Sequence, residues 1–306
     1  MEKMLVFGHK SPDTDTICSA IVMSDFQKKL GKEAKAVRLG ELNKETKFAL
    51  NYFGFEAPEL ISSVEEGQEV ILVDHNEFSQ SVDGIDKAKI KMVVDHHRIC
   101  DFNTAEPLYY RAEPVGCTNT ILLKMYKEYG LEIDKKLAGL MLSAIISDTL
   151  LLKSPTKTAE DEKAVKELSK IAEVDYNTYG LEMLKAGTDL SDYTAEELIA
   201  LDCKKCDLKD KKAKVAQVNT ADITEMMKRK ADFEAAIKKD IEENNLDIFV
   251  FVITDILESN SQAIVLGNST DIFEKGFNKK LEDNTAFLPG VVSRKKQILP
   301  VLQENA

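Results

Sequence analysis

Residues 4–30, MLVFGHKSPDTDTICSAIVMSDFQKKL, join a short apolar run to a longer segment with helical periodicity through a polar turn. The apolar run predicts a β-strand, and the spacing of the later apolar residues predicts a helix over 16–30. Asp15 suits the start of this helix, where carboxylates cap free N–H groups. Capping does not explain His9 or Asp13, so the turn is also a candidate metal-binding loop.

The alternation of strands and helices continues through the first part of the chain. The predicted strands are MLVFG, AKAVRL, EVILVD and KMVVD, and the predicted helices are 16–30, 44–53, 117–130, 135–148, 159–173 and 176–186. Strands that alternate with helices of this length predict an α/β fold with a doubly wound parallel sheet. The runs VILV and KMVV are apolar throughout, as central strands buried on both faces are.

A polar stretch with one glycine, KAGTDLSDYT at 185–194, predicts a linker. We therefore assign 1–187 to a first domain, 188–193 to the linker and 194–306 to a smaller, mixed α/β C-terminal domain. The elements predicted for this second domain are a helix over 194–201, a strand KVAQVN, a helix over 222–243, and strands IFVFVI and QAIVL.

Composition narrows the class of protein. The 306 residues are 43% hydrophobic and carry a formal net charge of −12, which argues against a protein that binds extended nucleic acid. No apolar run approaches the length of a membrane span, and the N-terminal residues lack the apolar core of a signal peptide. The cysteines number five and are scattered, which favours free thiols, so we expect a soluble cytoplasmic protein without a membrane partner. Cys203 and Cys206 have the spacing of a zinc ligand pair, but without a second pair we interpret CKKC as incidental.

All four histidines lie within two residues of the end of a predicted strand. They are His9, His75, His96 and His97. The carboxyl ends of parallel strands form the edge of an α/β sheet at which ligands bind. Asp148 lies in a strongly apolar helix, where an unpaired carboxylate is costly and a metal partner would explain it.

Four carboxylates and two imidazoles form the candidate ligand set. They are His9, Asp13, Asp15, Asp74, His96 and Asp148. Mixed oxygen and nitrogen ligands suit Mn²⁺, Co²⁺ or Mg²⁺ rather than a structural zinc. The number of carboxylates favours two cations bridged by one of them, an arrangement that catalyses in-line phosphoryl displacement.

A basic run near the C-terminus is a candidate anion site. In VVSRKKQILP, Arg294, Lys295 and Lys296 follow an apolar lead-in and a glycine. Arginine offers phosphate a bidentate fork and lysine a point charge. A solvated surface explains such a run equally well.

Together these motifs resemble the family II inorganic pyrophosphatases, the manganese-type enzymes of the DHH phosphoesterase superfamily. The matching segments occur in order along nearly the whole chain, as VFGHKSPDTDT, VDHN, VDHH, SDT, LDCKK and VVSRKKQ. The resemblance implies a DHH domain followed by a smaller C-terminal domain, with the active site in the cleft between them. It also implies a homodimer joined through the N-terminal domain.

The resemblance further implies a role for each site residue. One cation would be bound by His9, Asp13 and Asp74, and the other by Asp15, Asp74, His96 and Asp148, with Asp74 bridging. His97 would contact the substrate and protonate the leaving group, while His75 would lie near the cations without binding them and Asp95 would orient its loop. Lys204, Arg294 and Lys295 would bind phosphate. Because LDCKKC departs from the family pattern at Cys206, Lys205 stays open as the alternative to Lys204.

The activity implied is hydrolysis of inorganic pyrophosphate to two phosphates by a hydroxide held between two Mn²⁺ ions. Co²⁺ or Mg²⁺ would be possible replacements, and Mg²⁺ would accompany the substrate. The alternative is an exopolyphosphatase or an oligonucleotide phosphoesterase of the same superfamily. The nuclease branch carries a GGGH-like motif, whereas this chain has no Gly-Gly pair and no histidine after His97.

Overall fold

The computed structural model of the chain describes residues 3–306, which divide into two units after Gly187. The first unit, as far as it is described, alternates strands and helices. Its strands are β1 (Met4–Phe7), β2 (Ala34–Arg38), β3 (Glu59–Leu60), β4 (Glu69–Val73), β5 (Lys89–Asp95) and β6 (Tyr109–Ala112). Its helices are α1 (Thr14–Lys29), α2 (Lys44–Phe53), α3 (Thr118–Glu128), α4 (Lys135–Asp148), α5 (Ala159–Ala172) and α6 (Tyr176–Gly187), with short 3₁₀ turns at Phe78–Gln80 and Ile85–Lys87.

The six strands form one parallel sheet in the order β3-β2-β1-β4-β5-β6. The chain moves outward from β1 to β3 on one side, then returns to place β4 on the other side of β1. This reversal lies between β1 and β4, and it opens a crevice at the carboxyl ends of those two strands. The predicted doubly wound sheet is confirmed, and the edge strands β3 and β6 are added to it.

Burial on both faces of the sheet explains the continuous apolar runs. In β4, Ile71 and Val73 pack into the core beneath α1, α3 and α4, while Val70 and Leu72 pack into the core on the opposite face. Successive residues of a strand point to opposite faces, so a strand covered on both sides must be apolar at every position.

Helix α4 ends abruptly at Asp148. The next residues, Leu150 to Leu152, all have positive φ, at 46°, 54° and 63°. Left-handed backbone is uncommon outside glycine and cannot continue a right-handed helix. This turn therefore stops α4 and leaves Asp148 on its last turn.

The second unit contains a mixed sheet and its own cores. Its described strands are β7 (Cys203–Leu208), β8 (Lys211–Thr220), β9 (Ile248–Asp255), β10 (Asn260–Gly267) and β11 (Thr285–Pro289). Its helices are α7 (Ala195–Leu201), α8 (Ile223–Met227), α9 (Lys230–Asn244), α10 (Asp271–Phe277) and α11 (Leu299–Asn305), with a π-helical turn at Arg294–Ile298 before α11. The sheet order is β11-β10-β9-β8-β7, and β8 and β9 are its parallel pair.

One helix predicted for the second unit differs from the structure, and β7, β11, α10 and α11 were not predicted. The helix predicted over 222–243 is two helices, and Arg229 at the break donates hydrogen bonds to the carbonyl oxygens of Leu190 and Tyr193. Strand β7, which contains CKKC, was not predicted. Leu208 is its one buried residue, so the strand lacks the apolar periodicity by which strands are recognised.

Among residues 3–306, no helix combines the length and apolar character needed to cross a bilayer.

Candidate metal centre

The six candidate ligands come from three strand ends, the start of one helix and the end of another. His9 and Asp13 follow β1, Asp74 follows β4 and His96 follows β5, while Asp15 lies in the first turn of α1 and Asp148 ends α4. Since β1, β4 and β5 are neighbours in a parallel sheet, their carboxyl ends converge on one edge. The structure brings all six side chains together there, in overlapping groups whose ligand atoms lie within 4.8 Å of one another.

The first group is formed by His9, Asp13 and Asp74. His9 Nε2 lies 3.5 Å from Asp13 Oδ2 and 3.6 Å from Asp74 Oδ2. Asp13 also caps α1, because its Oδ1 accepts a hydrogen bond of 2.9 Å from the Thr16 N–H. One carboxylate oxygen thus starts the helix while the other faces the histidine.

The second group is built around His96. Its Nε2 lies 3.4 Å from Asp74 Oδ1, 3.8 Å from Asp148 Oδ2 and 3.9 Å from Asp15 Oδ2. The last two separations are too long for hydrogen bonds, and the first is at the outer limit. Asp74 therefore directs one oxygen toward each group.

Without a bound cation, burial and mutual repulsion favour the protonated forms of the carboxyl groups in this cluster. Burial and the neighbouring Asp15 carboxylate raise the pKa of Asp74 to about 7. Burial, followed by the charges of Asp15 and Asp74, raises the pKa of Asp148 well above its ordinary range. Burial opposes protonation of His96, but the adjacent Asp74 and Asp15 raise its pKa to about 9. The residues fit a cation also because Asp148 Oδ2 is buried without a hydrogen-bond partner.

The backbone at Asp74 is unusual. Its φ is 57°, in the left-handed region, and the residue is only 1% exposed. The hydroxyl of Thr16 donates to Asp74 Oδ2 at 2.6 Å, and that of Thr118 donates to Oδ1 at 3.1 Å. Strained backbone of this kind persists where surrounding contacts hold it, and it is concentrated at functional sites.

His97 lies beside the cluster and is half exposed. Its Nδ1 is 2.9 Å from Asp95 Oδ1, and the buried Asp95 also accepts from the His97 N–H and from Asn76 Nδ2. The hydrogen bond to Asp95 is the main cause that raises the pKa of His97. Because Nδ1 is occupied, Nε2 is the ring nitrogen left for a ligand.

His75 is buried, and both of its ring nitrogens have protein partners. Nδ1 lies 3.0 Å from the Val73 carbonyl oxygen, and Nε2 lies 3.1 Å from Ser81 Oγ. Burial lowers the pKa of His75 to about 4. A neutral imidazole with both nitrogens engaged is not available to a metal.

The candidate phosphate-binding residues lie in the second unit. Lys204 is on β7 opposite Val215 of β8, on the sheet face that the Arg294–Ile298 turn also covers. Lys205 points to the other face, where its Nζ donates to Asn244. The structure therefore places Lys204, rather than Lys205, on the same face as residues 291–298, which we call the Arg294 segment.

Polar residues on the same sheet face hold the Arg294 segment in place. Gln217 donates to the Val292 carbonyl oxygen at 2.9 Å and accepts from the Arg294 N–H at 2.8 Å. Ser261 donates to the Val291 carbonyl oxygen at 2.6 Å. The Arg294 guanidinium donates to Asp202 at 2.7 Å, and its Nε is buried without a hydrogen-bond partner. Lys295 lies in the turn itself.

The interpretation of CKKC as incidental agrees with the strand geometry. Cys203 and Cys206 are three residues apart on β7, so they point to opposite faces and pack against different cores. One ion cannot bind both.

Several residues at the site were not identified from the sequence. Thr118 and Asn119 contact Asp15 and are described below. Glu45 on α2 accepts hydrogen bonds from the hydroxyls of Thr14 and Ser147, and so ties the start of α1 to the end of α4. The polar residues Thr118 and Asn119 at the start of α3 are the one local signal that could have indicated this pair.

Two protein-family models match this chain and define its class. The family model of the DHH N-terminal domain matches residues 3–145, and that of the DHHA2 domain matches residues 181–305. This pair, with acidic and histidine side chains at the switch point of the sheet, defines a DHH-type protein with a DHHA2 domain.

The relatives specify the family. A protein of Exiguobacterium sp. strain AT1b, named a probable manganese-dependent inorganic pyrophosphatase, is 61% identical over 100% of this chain and 99% of its own length. The manganese-dependent inorganic pyrophosphatase of Bacillus subtilis strain 168 is 59% identical over 99% of both chains. A solved structure from Methanococcus jannaschii, described as a putative family II inorganic pyrophosphatase, is 41% identical, covers 99% of both chains and has a TM-score of 0.62. The chain belongs to the family II, manganese-dependent inorganic pyrophosphatases.

Proposed function

We propose that this enzyme hydrolyses inorganic pyrophosphate to two phosphates with manganese as its cofactor. The family membership supports the activity. The observation on the chain itself that carries the proposal is the placement of Asp74, whose two oxygens face two different groups of candidate ligands. A carboxylate shared in this way is what a pair of cations requires.

The proposed ligand assignment follows the two groups. His9, Asp13 and Asp74 would hold one Mn²⁺, and Asp15, Asp74, His96 and Asp148 would hold the second. When bound, such a pair supplies Lewis acidity to the phosphoryl oxygens and lowers the pKa of water at the site. Imidazole ligands favour Mn²⁺ over Mg²⁺, and Co²⁺ is a possible replacement in the same set. We assign Mg²⁺ to the incoming substrate.

His97 is proposed as the acid for the leaving phosphate. Asp95 accepts from Nδ1, which leaves a proton at Nε2 available for transfer as the P–O–P bond breaks. The hydrogen bond to Asp95 raises the pKa of His97 and so favours the protonated ring near neutral pH.

Lys204, Arg294 and Lys295 are proposed to bind the phosphate groups. The placement of Lys204 on the sheet face that the Arg294 segment covers supports this, since lysine charges and an arginine fork match a dianionic phosphate. Two points stay predictions. One is the assignment of the metals to 1–187 and of these residues to 194–306, and the other is the closure of the two domains over one site.

Three further assignments belong to the proposal. The net charge of −12 supports a small anion bound through metals rather than a nucleic acid. The free thiols among the described residues support a reducing compartment, and we propose the cytoplasm. A homodimer through the first domain is supported by the family resemblance and by β6, a terminal strand whose outer edge offers main-chain groups to a second copy.

The test is phosphate release from pyrophosphate, triphosphate, long-chain polyphosphate and short oligonucleotides, assayed side by side with Mn²⁺ and with Mg²⁺. We expect pyrophosphate with Mn²⁺ to be hydrolysed far faster than any other combination of substrate and metal. Metal-stripped protein assayed with a chelator is the control. Preferred cleavage of polyphosphate would assign the chain to the exopolyphosphatase alternative, and preferred cleavage of oligonucleotides to the phosphoesterase alternative.

A further inference from the structure

A five-residue segment that carries no candidate ligand forms hydrogen bonds with the residues of the second ligand group. The segment is VGCTN, residues 115–119, and it leads into α3. The Thr118 N–H donates to Asp15 Oδ2 at 2.7 Å, and the Asn119 side-chain amide donates to Asp15 Oδ1 at 2.8 Å. Both oxygens of this fully buried carboxylate are therefore held by uncharged donors from one segment.

The same segment also reaches the other ligands of that group. The hydroxyl of Thr118 donates to Asp74 Oδ1, the oxygen that faces His96. The Val115 carbonyl oxygen lies 3.0 Å from His96 Nδ1. This carbonyl accepts from the Nδ1–H, so Nε2, which faces the carboxylates, is the ring nitrogen left for a cation. Segment 115–119 thus orients three of the four side chains assigned to the second cation.

A second buried carboxylate anchors the segment. Asp161 of α5 accepts hydrogen bonds from the Gly116 N–H at 2.9 Å and from the Thr120 hydroxyl at 2.6 Å. It also accepts from the N–H and hydroxyl of Thr158, both at 2.7 Å. A Cβ on Gly116 would lie 2.7 Å from Asp161 Oδ2 and 3.0 Å from the methyl group of Thr149, so glycine is required for this close approach. The segment is therefore fixed on both sides.

We propose that Thr118 and Asn119 are positioning residues that set the Mn²⁺ affinity of the Asp15–His96–Asp148 group without touching the cation. The inference rests on the proposed function, because it takes that group to be a metal site. The contacts of Thr118 and Asn119 are with Asp15 and with the Asp74 oxygen on the His96 side, whereas Thr16 holds the Asp74 oxygen on the His9 side. The effect should therefore be confined to one of two cations.

The test measures Mn²⁺ binding to metal-stripped full-length protein by equilibrium dialysis. Thr118→Val removes the hydroxyl but keeps the shape and the main-chain donor, and Asn119→Leu removes the amide. Dialysis should resolve two classes of Mn²⁺ site by their affinity. We expect each change to weaken the class formed by the Asp15–His96–Asp148 group by about 10–100-fold, whether that class is the tighter or the weaker of the two. This is the range found when partners of metal ligands are removed. The other class should stay within about threefold. Thr118→Ser, which restores a hydroxyl, should recover most of the loss.

Ser24→Ala is the matched control, since it removes a buried hydroxyl of the same unit that donates to the Ala34 carbonyl oxygen. It should leave both classes unchanged. Equal weakening of both classes in Thr118→Val and Asn119→Leu, or no weakening, would overturn the inference. If Thr118→Val fails to fold by circular dichroism, Asn119→Leu decides. A wild-type enzyme that binds two Mn²⁺ but does not release phosphate from pyrophosphate would instead overturn the proposed function.

Discussion

Asp74 concentrates the chemistry of the site in one side chain. It is buried, has a left-handed backbone, and accepts hydrogen bonds from Thr16 and Thr118 on separate oxygens. Burial, followed by the nearby carboxylate of Asp15, raises the cost of its charge and therefore its pKa. Such a residue is destabilising for the metal-free protein, and a bound cation would relieve the repulsion.

We expect Asp74→Asn to weaken both protein-bound Mn²⁺ ions, because each loses an anionic oxygen. The loss should exceed about 100-fold for each ion, since removing only an outer partner of a ligand costs about 10–100-fold. Asp13→Asn should mainly weaken the ion held by His9. The measurement is metal stoichiometry after gel filtration. Two Mn²⁺ retained per chain in Asp74→Asn would show that the carboxylate does not bridge.

At the scale of secondary-structure elements, the position of the basic run that contains Arg294 depends on the strands that its loop contacts. The Arg294 segment follows β11 and is held by side chains of β8 and β10, so its position depends on the sheet rather than on its own sequence. Gln217 is central, since its amide both donates to and accepts from the main chain of this segment. A lysine and arginine run without these contacts would be an ordinary solvated surface.

We expect Gln217→Leu to lower kcat/KM for pyrophosphate about tenfold. It removes two hydrogen bonds to the segment, and each contributes about 0.5–1.5 kcal/mol. Mn²⁺ binding should not change. Gln262→Leu is the control, because Gln262 lies on β10 and points to the opposite face of the same sheet, with Ile253 as its neighbour. Unchanged kinetics in Gln217→Leu would mean that the segment needs no such support.

At the scale of the whole molecule, the proposed ligands and the proposed phosphate-binding residues belong to different units. The candidate ligands belong to the unit that ends at Gly187, and Arg294 belongs to Thr188–Ala306. Each unit has its own sheet and its own buried cores. Substitutions in the second unit should therefore change substrate binding and turnover without changing the metal site.

Arg294→Lys keeps the charge and removes the planar fork. We expect kcat/KM to fall by about two orders of magnitude, or about 3 kcal/mol, with Mn²⁺ affinity unchanged within error. The loss should persist at saturating substrate, because the arginine would act in the transition state as well as in binding. Full kcat in this variant would mean that Arg294 is only a surface charge. Loss of metal would mean that the two units do not divide the work in this way.

Much of the first unit could be predicted from the sequence because its signals are local. Apolar runs such as VILV need only a few neighbouring residues to be recognised, although the residue that caps α1 is Asp13 rather than the predicted Asp15. The strand β7 and the break near Arg229 could not be predicted in this way. The first is an edge strand with one buried residue, and the second depends on carbonyl groups that lie more than 30 residues away.

The sequence by itself determined that acidic and histidine side chains would follow the strands of a parallel sheet. It did not determine which strands are neighbours, and therefore which side chains meet. Only the tertiary structure placed β1 beside β4, turned one oxygen of Asp74 toward each group, and brought Thr118 to Asp15 across more than 100 residues. The physical reason is range: periodicity and capping act over a few residues, whereas sheet order and buried polar partners depend on how the whole unit packs.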